Sequence, residues 1–290
     1  MTDDPFVAHR SLLFTIAYEM LGSAVDAEDV VQETWLRWAD VQHSEVRDAR
    51  AYLVRMVTRQ SLNRLRTLAR RREEYVGEWL PEPLLTSPDV AEDVELAESL
   101  SIAMLTVLET LTPTERAVFV LREVFDAPYD EVAAALDKSP AAVRQVAHRA
   151  RAHVDARRPR MEVDREEQRQ VMERFLAALT TGDVQGLMDV LAPDVVSIAD
   201  GGGFAAAVRH PVVGAEPVVA LLVKFLRFID QTELSTIWVN GAPAIRIDAP
   251  AKLGSTAVSL VVDHGRITRI YSMRNPHKLG RIRTPVALSR

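Results

Sequence analysis

Two groups of basic side chains are spaced so that they could do chemistry together. In SPAAVRQVAHRARAHVDARR, residues 139–158, Arg144, Gln145, His148, Arg149 and Arg151 alternate with Val143, Val146, Ala147, Ala150 and Val154. The apolar set recurs at steps of three and four, which is one buried face of a helix, and the basic set falls on the other face. Ser139 can cap that helix and Pro140 suits its first position, so cations begin at the helix N-terminus, where phosphates and base edges are met. A charged face that is merely solvated is the competing reading for any single basic helix. The second group is Arg55, Arg59, Asn63, Arg66 and Arg70 in ARAYLVRMVTRQSLNRLRTLARRR, a single line along one helix with nothing acidic in it. Like charges aligned in this way gain nothing from each other in water, whereas a phosphate backbone gives each a partner.

The elements that must hold these groups are helical. Residues 5–21 read as a helix ended by Gly22, and DAEDVVQETWLRWAD as a second with Asp26 as its cap. There Val31, Trp35 and Trp38 share a side expected to be core, while Asp29, Gln32 and Glu33 lie on others. The arginine line rides on the third. From Glu73 to Glu98 the chain holds no Lys or Arg, and Pro81, Pro83 and Pro88 interrupt it, which marks a linker. Within it WLPEP, residues 79–83, sets Trp79, Leu80 and Pro81 in a stiff extended segment, and a tryptophan so placed docks on something. Helices resume near Asp93 with Leu96, Leu100, Val107 and Leu111 on one face. TPTE then supplies Thr112 as a cap with Glu115 closing a capping box. YDEVAAALD is a short helix, Asp137-Lys138 a tight turn, and the basic helix follows: helix-turn-helix grammar. Asp137 stands where Gly is usual, and Asp tolerates the left-handed conformation.

After residue 160 the pattern changes. Helices over 163–191 give way to apolar alternation in DVVSIAD, ELSTIWVNG, PAIRIDA, TAVSLVVDHG and RITRIYSMR, with Asp263-His264-Gly265 as a hairpin turn. Helices followed by a run of antiparallel strands imply an α+β domain with helices on one face of a curved sheet.

The 290 residues suffice for two or three domains. A net charge of −6 argues against a protein that coats nucleic acid everywhere, and places weight on the local distribution of charge. With no cysteine, thiol catalysis and thiolate metal sites are excluded, and the seven histidines lack ligand spacing, so neither metal nor organic cofactor is expected. No apolar run approaches membrane-spanning length, and a cytoplasmic protein without membrane contact is the expectation.

DAEDVVQETWLRW followed by AYLVRMVTRQSLNRLR, then LTPTERAVFVLREVFDAPYDEVAAALDKSPAAVRQVAHRAR, resembles the extracytoplasmic-function (group IV, sigma-70 family) sigma factors of bacterial RNA polymerase, over residues 5–157. The remainder resembles the SnoaL-like extension of one sigma subgroup, marked by WLPEP, by a DGGG-type loop (Asp200, Gly201, Gly202, Gly203) and by an NPxKL-type tail (Asn275, Pro276 and Leu279 among its residues). The resemblance implies a multidomain protein. Sigma region 2 occupies 1–72, an acidic linker 73–95, a helix-turn-helix region 4 96–160, and a SnoaL-like cone 161–290. It implies that Asp29, Gln32 and Glu33 meet the β′ subunit of core polymerase. Tyr52, Arg55, Arg59, Gln60, Asn63 and Arg66 would take the minus-10 element, with Tyr52 stacking on an extruded base. The basic helix would enter the major groove at the minus-35 element, Arg144 and Gln145 reading base edges and His148, Arg149 and Arg151 holding phosphates. The acidic linker would pass through the RNA-exit region. Gln60 and Asn63 stand where the family usually has Asn and Asp, and Phe204 where the subgroup usually has Lys.

SnoaL-like domains include cyclases and isomerases that use an acidic residue in an apolar cone, so an enzyme or small-molecule sensor fused to a DNA-binding module is the rival reading. Asp194, Asp200, His210, Asp230 and Glu233 are available as acid or base, yet no pair has a spacing that identifies a site. The expectation is therefore a sigma factor, not an enzyme, monomeric when free, whose cone regulates it in cis. Trp79 and its neighbours would dock near Gly201–Phe204 and the Asn275–Leu279 tail, and the cone has room for a small-molecule ligand. Partners are core polymerase (β′ and β) and promoter DNA.

Overall fold

The structure is a computed structural model and describes residues 4–158, 165–226, 231–250, 254–280, 282 and 285–289. The chain divides into two compact units. The first comprises Met1–Glu74, Asp89–Arg158 and Val286–Arg290, and the second Tyr75–Pro88 and Pro159–Pro285. The boundary expected at 160/161 lies outside the described residues.

In the first unit, α1 (Pro5–Leu21) opens on Asp4, whose carboxylate accepts from Phe6 N, and closes on Gly22 at φ 65°. The cap of α2 (Ala24–Ala39) is Ser23, not Asp26: the Ser23 Oγ accepts from Asp26 N, because the extended conformation a cap requires falls at Ser23. Asp26 is left free to bind Arg64 Nε at 2.7 Å. Asp48 caps α3 (Ala49–Glu73). Val31 and Trp38 are buried as their spacing requires. Trp35 is not: it is 38% exposed beside Val7 and Leu36, its ring 5.0 Å from that of Phe6.

The helical stretch expected from Asp93 to Leu111 is two helices, α4 (Val94–Leu100) and α5 (Ile102–Leu108), since Ser101 turns extended and its Oγ accepts from Met104 N. Thr112 and Glu115 form the full capping box of α6 (Pro113–Phe119), which continues into one π turn. The helix-turn-helix is α7 (Tyr129–Leu136) and α8 (Pro140–Asp155), with Asp137 left-handed at φ 55° between them. Val143, Val146, Ala147, Ala150 and Val154 form the buried stripe of α8.

The first three helices and the helix-turn-helix half pack within this one unit: α3 lies against α6 and α7, and α1 against α6. A buried charge cluster joins them. The Arg116 guanidinium donates to Glu19 O at 2.8 Å and to Glu109 at 2.5 Å, while Arg72 donates to the other oxygen of Glu109 and to Leu21 O. Burial is the largest cause lowering the pKa of both guanidinium groups; Glu19 opposes it at Arg116 and Asp26 at Arg72, and the Glu109 carboxylate pairs with both. The end of the chain belongs here too, for Ser11 Oγ donates to Ala287 O and Ser289 N to Thr15 Oγ1.

The second unit is a six-stranded sheet, β1 (Leu191–Asp200), β2 (Val212–Val213), β3 (Glu233–Val239), β4 (Ala242–Asp248), β5 (Thr256–Asp263) and β6 (Arg266–Met273), in the order β2-β1-β6-β5-β4-β3. It is mixed rather than wholly antiparallel, because β1 runs parallel to β6. Between β1 and the β3–β6 meander the chain passes through α11 (Ala215–Leu226), a helix the strand patterns did not suggest, and that crossover permits the parallel pairing. Register shifts at Leu191/Val196, across Pro193, and at Val261/Val262 bend the sheet. α9 (Arg165–Thr181), α10 (Val184–Val190) and α11 bury Phe175, Leu187 and Val218 in one core with Val195, Ile245, Leu260 and Ile270. α12 (Pro276–Leu279) ends the domain.

Candidate nucleic-acid interface and the clasp on the linker

On α8, Arg144, Gln145, His148, Arg149 and Arg151 are all exposed. Capping by Ser139 and the buried stripe fix the helix, so these five side chains leave from one outer face. Arg149 and Arg151 sit near Glu115 and Glu123 at 3.9 and 3.5 Å, weak surface pairs that a phosphate can replace. Arg144 lies 5.9 Å above the Tyr129 ring.

On α3 the stripe is less uniform. Asn63 and Arg66 are exposed and bonded to each other, and Arg55 lies 5.1 Å over the Tyr52 ring. Gln60 does not join them. It is 6% exposed and its Nε2 donates to Thr34 Oγ1 on α2, because a residue one position after Arg59 falls on the buried side of the helix. Arg59 points outward and is engaged: its Nε donates to Ala135 O and its Nη2 to Ala134 O, at 3.0 and 2.9 Å. These are carbonyls of the last turn of α7, which lack helical donors and carry the negative end of the helix dipole. The side chain of Arg70 is outside what the structure describes. A cavity of about 450 Å³ beside Tyr52 is lined by Val41, Gln42, Asp48 and Arg55, and also by Glu131 and Ala134 of α7.

On α2, Gln32 and Glu33 are exposed, while Asp29 is half-exposed and bound to Arg64 Nη2 at 2.7 Å. Gln32 shares a groove with Phe6, Val7, Val31 and Trp35, rimmed by the Arg10–Glu28 pair. Trp35 thus belongs to an outer apolar patch, which its helical spacing with Trp38 had concealed.

The acidic linker is not a solvated strand in the free chain. Residues 80–84 are buried in the second unit. Asp200, at the end of β1 and 0% exposed, accepts from Tyr75 Oη at 2.5 Å, from Leu80 N at 2.9 Å and from Lys278 Nζ at 2.7 Å. Lys278 also donates to Leu80 O and lies 4.0 Å over the Trp79 ring. Asn275 caps α12 and donates its Nδ2 to Tyr75 Oη. Burial, then the bond to Asp200, raises the Tyr75 phenol above its ordinary pKa. Farther along, Asn240 Oδ1 accepts from Leu84 N, Asn240 N donates to Leu84 O, and Thr86 N donates to Trp238 O, so the strap ends as a short antiparallel addition to β3. Pro81 is buried. Gly202 stands at φ 57°, where a Cβ would collide with the Asn275 amide and the Tyr75 hydroxyl. Gly203, at φ 78°, lies against Val76, where a Cβ would make a tight contact at 3.3 Å rather than a collision. Phe204 is 67% exposed and edge-on to His277 at 4.5 Å.

Trp79, Leu80, Asp200, Gly202, Gly203 and Asn275 are thus brought together, whereas Pro276 and Leu279 open and close α12 and line a groove with Arg246 and Ile282. Tyr75 and Asn240 were missed: single polar residues outside any motif give no signal until the chain folds, while Lys278 is the lysine of the NPxKL-type tail, whose partner Asp200 the sequence did not name. Of the acid–base candidates, Asp200 is committed to the strap, Asp194, His210 and Glu233 are exposed, and Asp230 lies outside the described residues.

Two family models match, sigma-70 region 2 over residues 6–71 and sigma-70 region 4 over 101–154. The chain is 34% identical over 288 residues to the ECF RNA polymerase sigma factor SigJ of Mycobacterium tuberculosis, covering 94% of this chain and 91% of that protein. It is 31% identical to SigG of the same organism, covering 65% of this chain and 58% of that one. The crystal structure of the Mycobacterium tuberculosis extracytoplasmic-function sigma factor SigJ superposes with a TM-score of 0.78 at 32% identity, covering 97% of this chain and 98% of that one. No described helix is long and apolar enough to cross a membrane. With both sigma regions matched in order and a relative aligned along nearly its whole length, the chain belongs to the ECF sigma factors of RNA polymerase.

Proposed function

We propose that the free chain is a closed form of a promoter-reading factor and opens on core polymerase. The observation that carries this is Arg59, held by the carbonyls of Ala134 and Ala135. A minus-10 residue and the helix-turn-helix are in hydrogen-bond contact, whereas the two promoter elements are about 25 base pairs apart, roughly 85 Å of B-DNA at about 3.4 Å per base pair. Both cannot be read until regions 2 and 4 separate. The patch of Trp35, Val7 and Gln32 with Glu33 and Asp29 faces the β′ subunit, Tyr52, Arg55, Arg59, Asn63 and Arg66 take the minus-10 strand, and α8 enters the minus-35 major groove.

The SnoaL-like domain governs the opening in cis. The 14 residues Tyr75–Pro88 join regions 2 and 4 and are held by the cone along their length. Released and extended, they reach about 50 Å at about 3.5 Å per residue; clasped, they fix the distance between their two ends. The cone acts by holding or releasing this strap, with room for a small molecule in its interior, and not as an enzyme.

Transcription with purified core polymerase and gel-shift titration on promoter variants test the assignment. Arg144→Ala and Gln145→Ala are each expected to cost about 1–3 kcal/mol and to relax preference at individual minus-35 positions, while Arg151→Ala weakens every sequence alike and lowers the salt dependence. Equal losses on all sequences from all three would show that the groove-facing residues are misassigned.

A further inference from the structure

We propose that the interior of the SnoaL-like domain is a receptor site for an apolar carboxylic acid, which it binds without turning over. This rests on the reading that the cone has room for a small molecule and gives that molecule its chemistry. Between the sheet and helices α9 and α11 lies a cavity of about 370 Å³, toward the small end of ligand sites, which run to roughly 300–1,000 Å³. Its wall is mostly aliphatic and aromatic: Phe175 and Phe225 from the helices face Ile247, Val258 and Ile270 from the sheet. Apolar surface of this kind is stabilised when an apolar body covers it and displaces water.

The polar side chains are few: Ser197, Thr256, Ser272 and Arg274. Ser197 of β1 and Ser272 of β6 lie on paired strands, β1 running parallel to β6, and Arg274 follows β6 directly. Arg274 is the single charged residue in the described lining. Its guanidinium donates to Ala206 O at the exposed rim, and burial lowers its pKa, the sign of a cation that has lost part of its water. A carboxylate entering there forms a charge-assisted pair with the guanidinium, and the hydroxyls of Ser197, Thr256 and Ser272 are the other polar side-chain groups of the described lining. The lining among the described residues contains no Asp, Glu or His, so a bound carbonyl or acid meets no general acid or base. The occupant also sits close to the strap: Arg274 N donates to Asp200 O at 2.7 Å, and the next residue is Asn275, which holds Tyr75.

The test is calorimetric titration of the full chain with decanoate and, as the uncharged arm, decanol. Decanoate is expected to bind at one site and decanol about tenfold or more weaker, since each lost charged hydrogen bond is worth about 1.5–3 kcal/mol. Arg274→Gln is expected to bring decanoate down to the level of decanol and leave decanol unchanged. Val258→Trp fills the interior and is expected to abolish binding of both. Ala206→Trp at the exposed rim does so without touching the core, so loss of binding with an unchanged thermal unfolding curve separates a blocked site from a misfolded one. Decanoate recovered unchanged after prolonged incubation is the expected result for a receptor. Absence of saturable binding to either probe, equal affinity for both, undiminished binding to Ala206→Trp and Val258→Trp, or conversion of the acid would each overturn the proposal. None of these outcomes alters promoter-directed transcription by the ligand-free chain, which tests the sigma assignment separately.

Discussion

Asp200→Ala is expected to destabilise the C-terminal domain by about 3–5 kcal/mol, the cost of leaving one member of a buried ion pair without its partner. The side chain is fully buried and accepts three hydrogen bonds, two of them from the strap and one from Lys278, whose side chain is 12% exposed. Alanine leaves a buried ammonium, an unpaired Leu80 N–H and a phenol with one fewer partner. Asp200→Asn keeps the shape and one acceptor and should cost clearly less. Urea unfolding of the full chain, followed through the near-ultraviolet signal of the domain, measures the difference. The strap should come free at the same time, so at limiting core polymerase both Asp200→Ala and Lys278→Met should yield more promoter-directed transcript per folded molecule than the parent chain. A midpoint for Asp200→Ala that corresponds to less than about 1 kcal/mol of loss would mean the clasp contributes little.

Glu109→Ala should be comparably damaging, and in the other unit. Its carboxylate lies between Arg116, 2% exposed, and Arg72, 26% exposed, and each oxygen takes one guanidinium. Removing it takes the shared carboxylate from one buried and one partly buried cation, whose charged forms burial already penalises, with Glu19 and Asp26 the acids still acting on them. Breaking a buried pair costs about 3–5 kcal/mol, and the lower end is expected here because Glu19 and Asp26 still act on the two guanidinium groups. Because Arg72 stands on α3 of region 2 and Glu109 between α5 and α6 of region 4, the loss should appear first as separation of the two regions, seen as faster proteolysis in the π turn after α6. Glu109→Gln retains two acceptor or donor positions but not the charge, and should fall between the two. If Glu109→Ala unfolds at the parent midpoint with unchanged proteolysis, regions 2 and 4 are not held together by this cluster.

The basic helix was legible because four local signals agree on it: the cap Ser139, Pro140, the 3–4 apolar spacing, and the turn at Asp137. The strands of the C-terminal domain were legible from alternation alone. What stayed hidden is tertiary. Trp35 and Trp38 have the same spacing relation to a core face, and only tertiary packing separates them: Trp38 is buried against Asp4, His43 and Tyr52, while Trp35 lies outside against Phe6. Gln60 sits in a run of polar residues whose neighbours Arg59 and Asn63 face outward, and one residue of helical rotation turns it inward to Thr34. The parallel pairing of β1 with β6 depends on a crossover through α11, whose apolar run reads equally as strand or helix. The clasp was half legible: WLPEP and DGGG announce that something docks, but Tyr75 and Lys278 acquire meaning only when residues about 125 and 78 positions from Asp200 meet it.

The most direct test of the account is the distance between regions 2 and 4 before and after core polymerase is added. The chain has no cysteine, so Glu45→Cys with Lys138→Cys places two dyes on exposed positions of region 2 and the helix-turn-helix without competing labels. Efficient energy transfer in the free chain, falling to a low value when core polymerase is added and remaining low on promoter DNA, is the predicted result. Equal transfer in the free and polymerase-bound chain would contradict it, because the contact of Arg59 with the end of α7 would then persist in the state that reads the promoter.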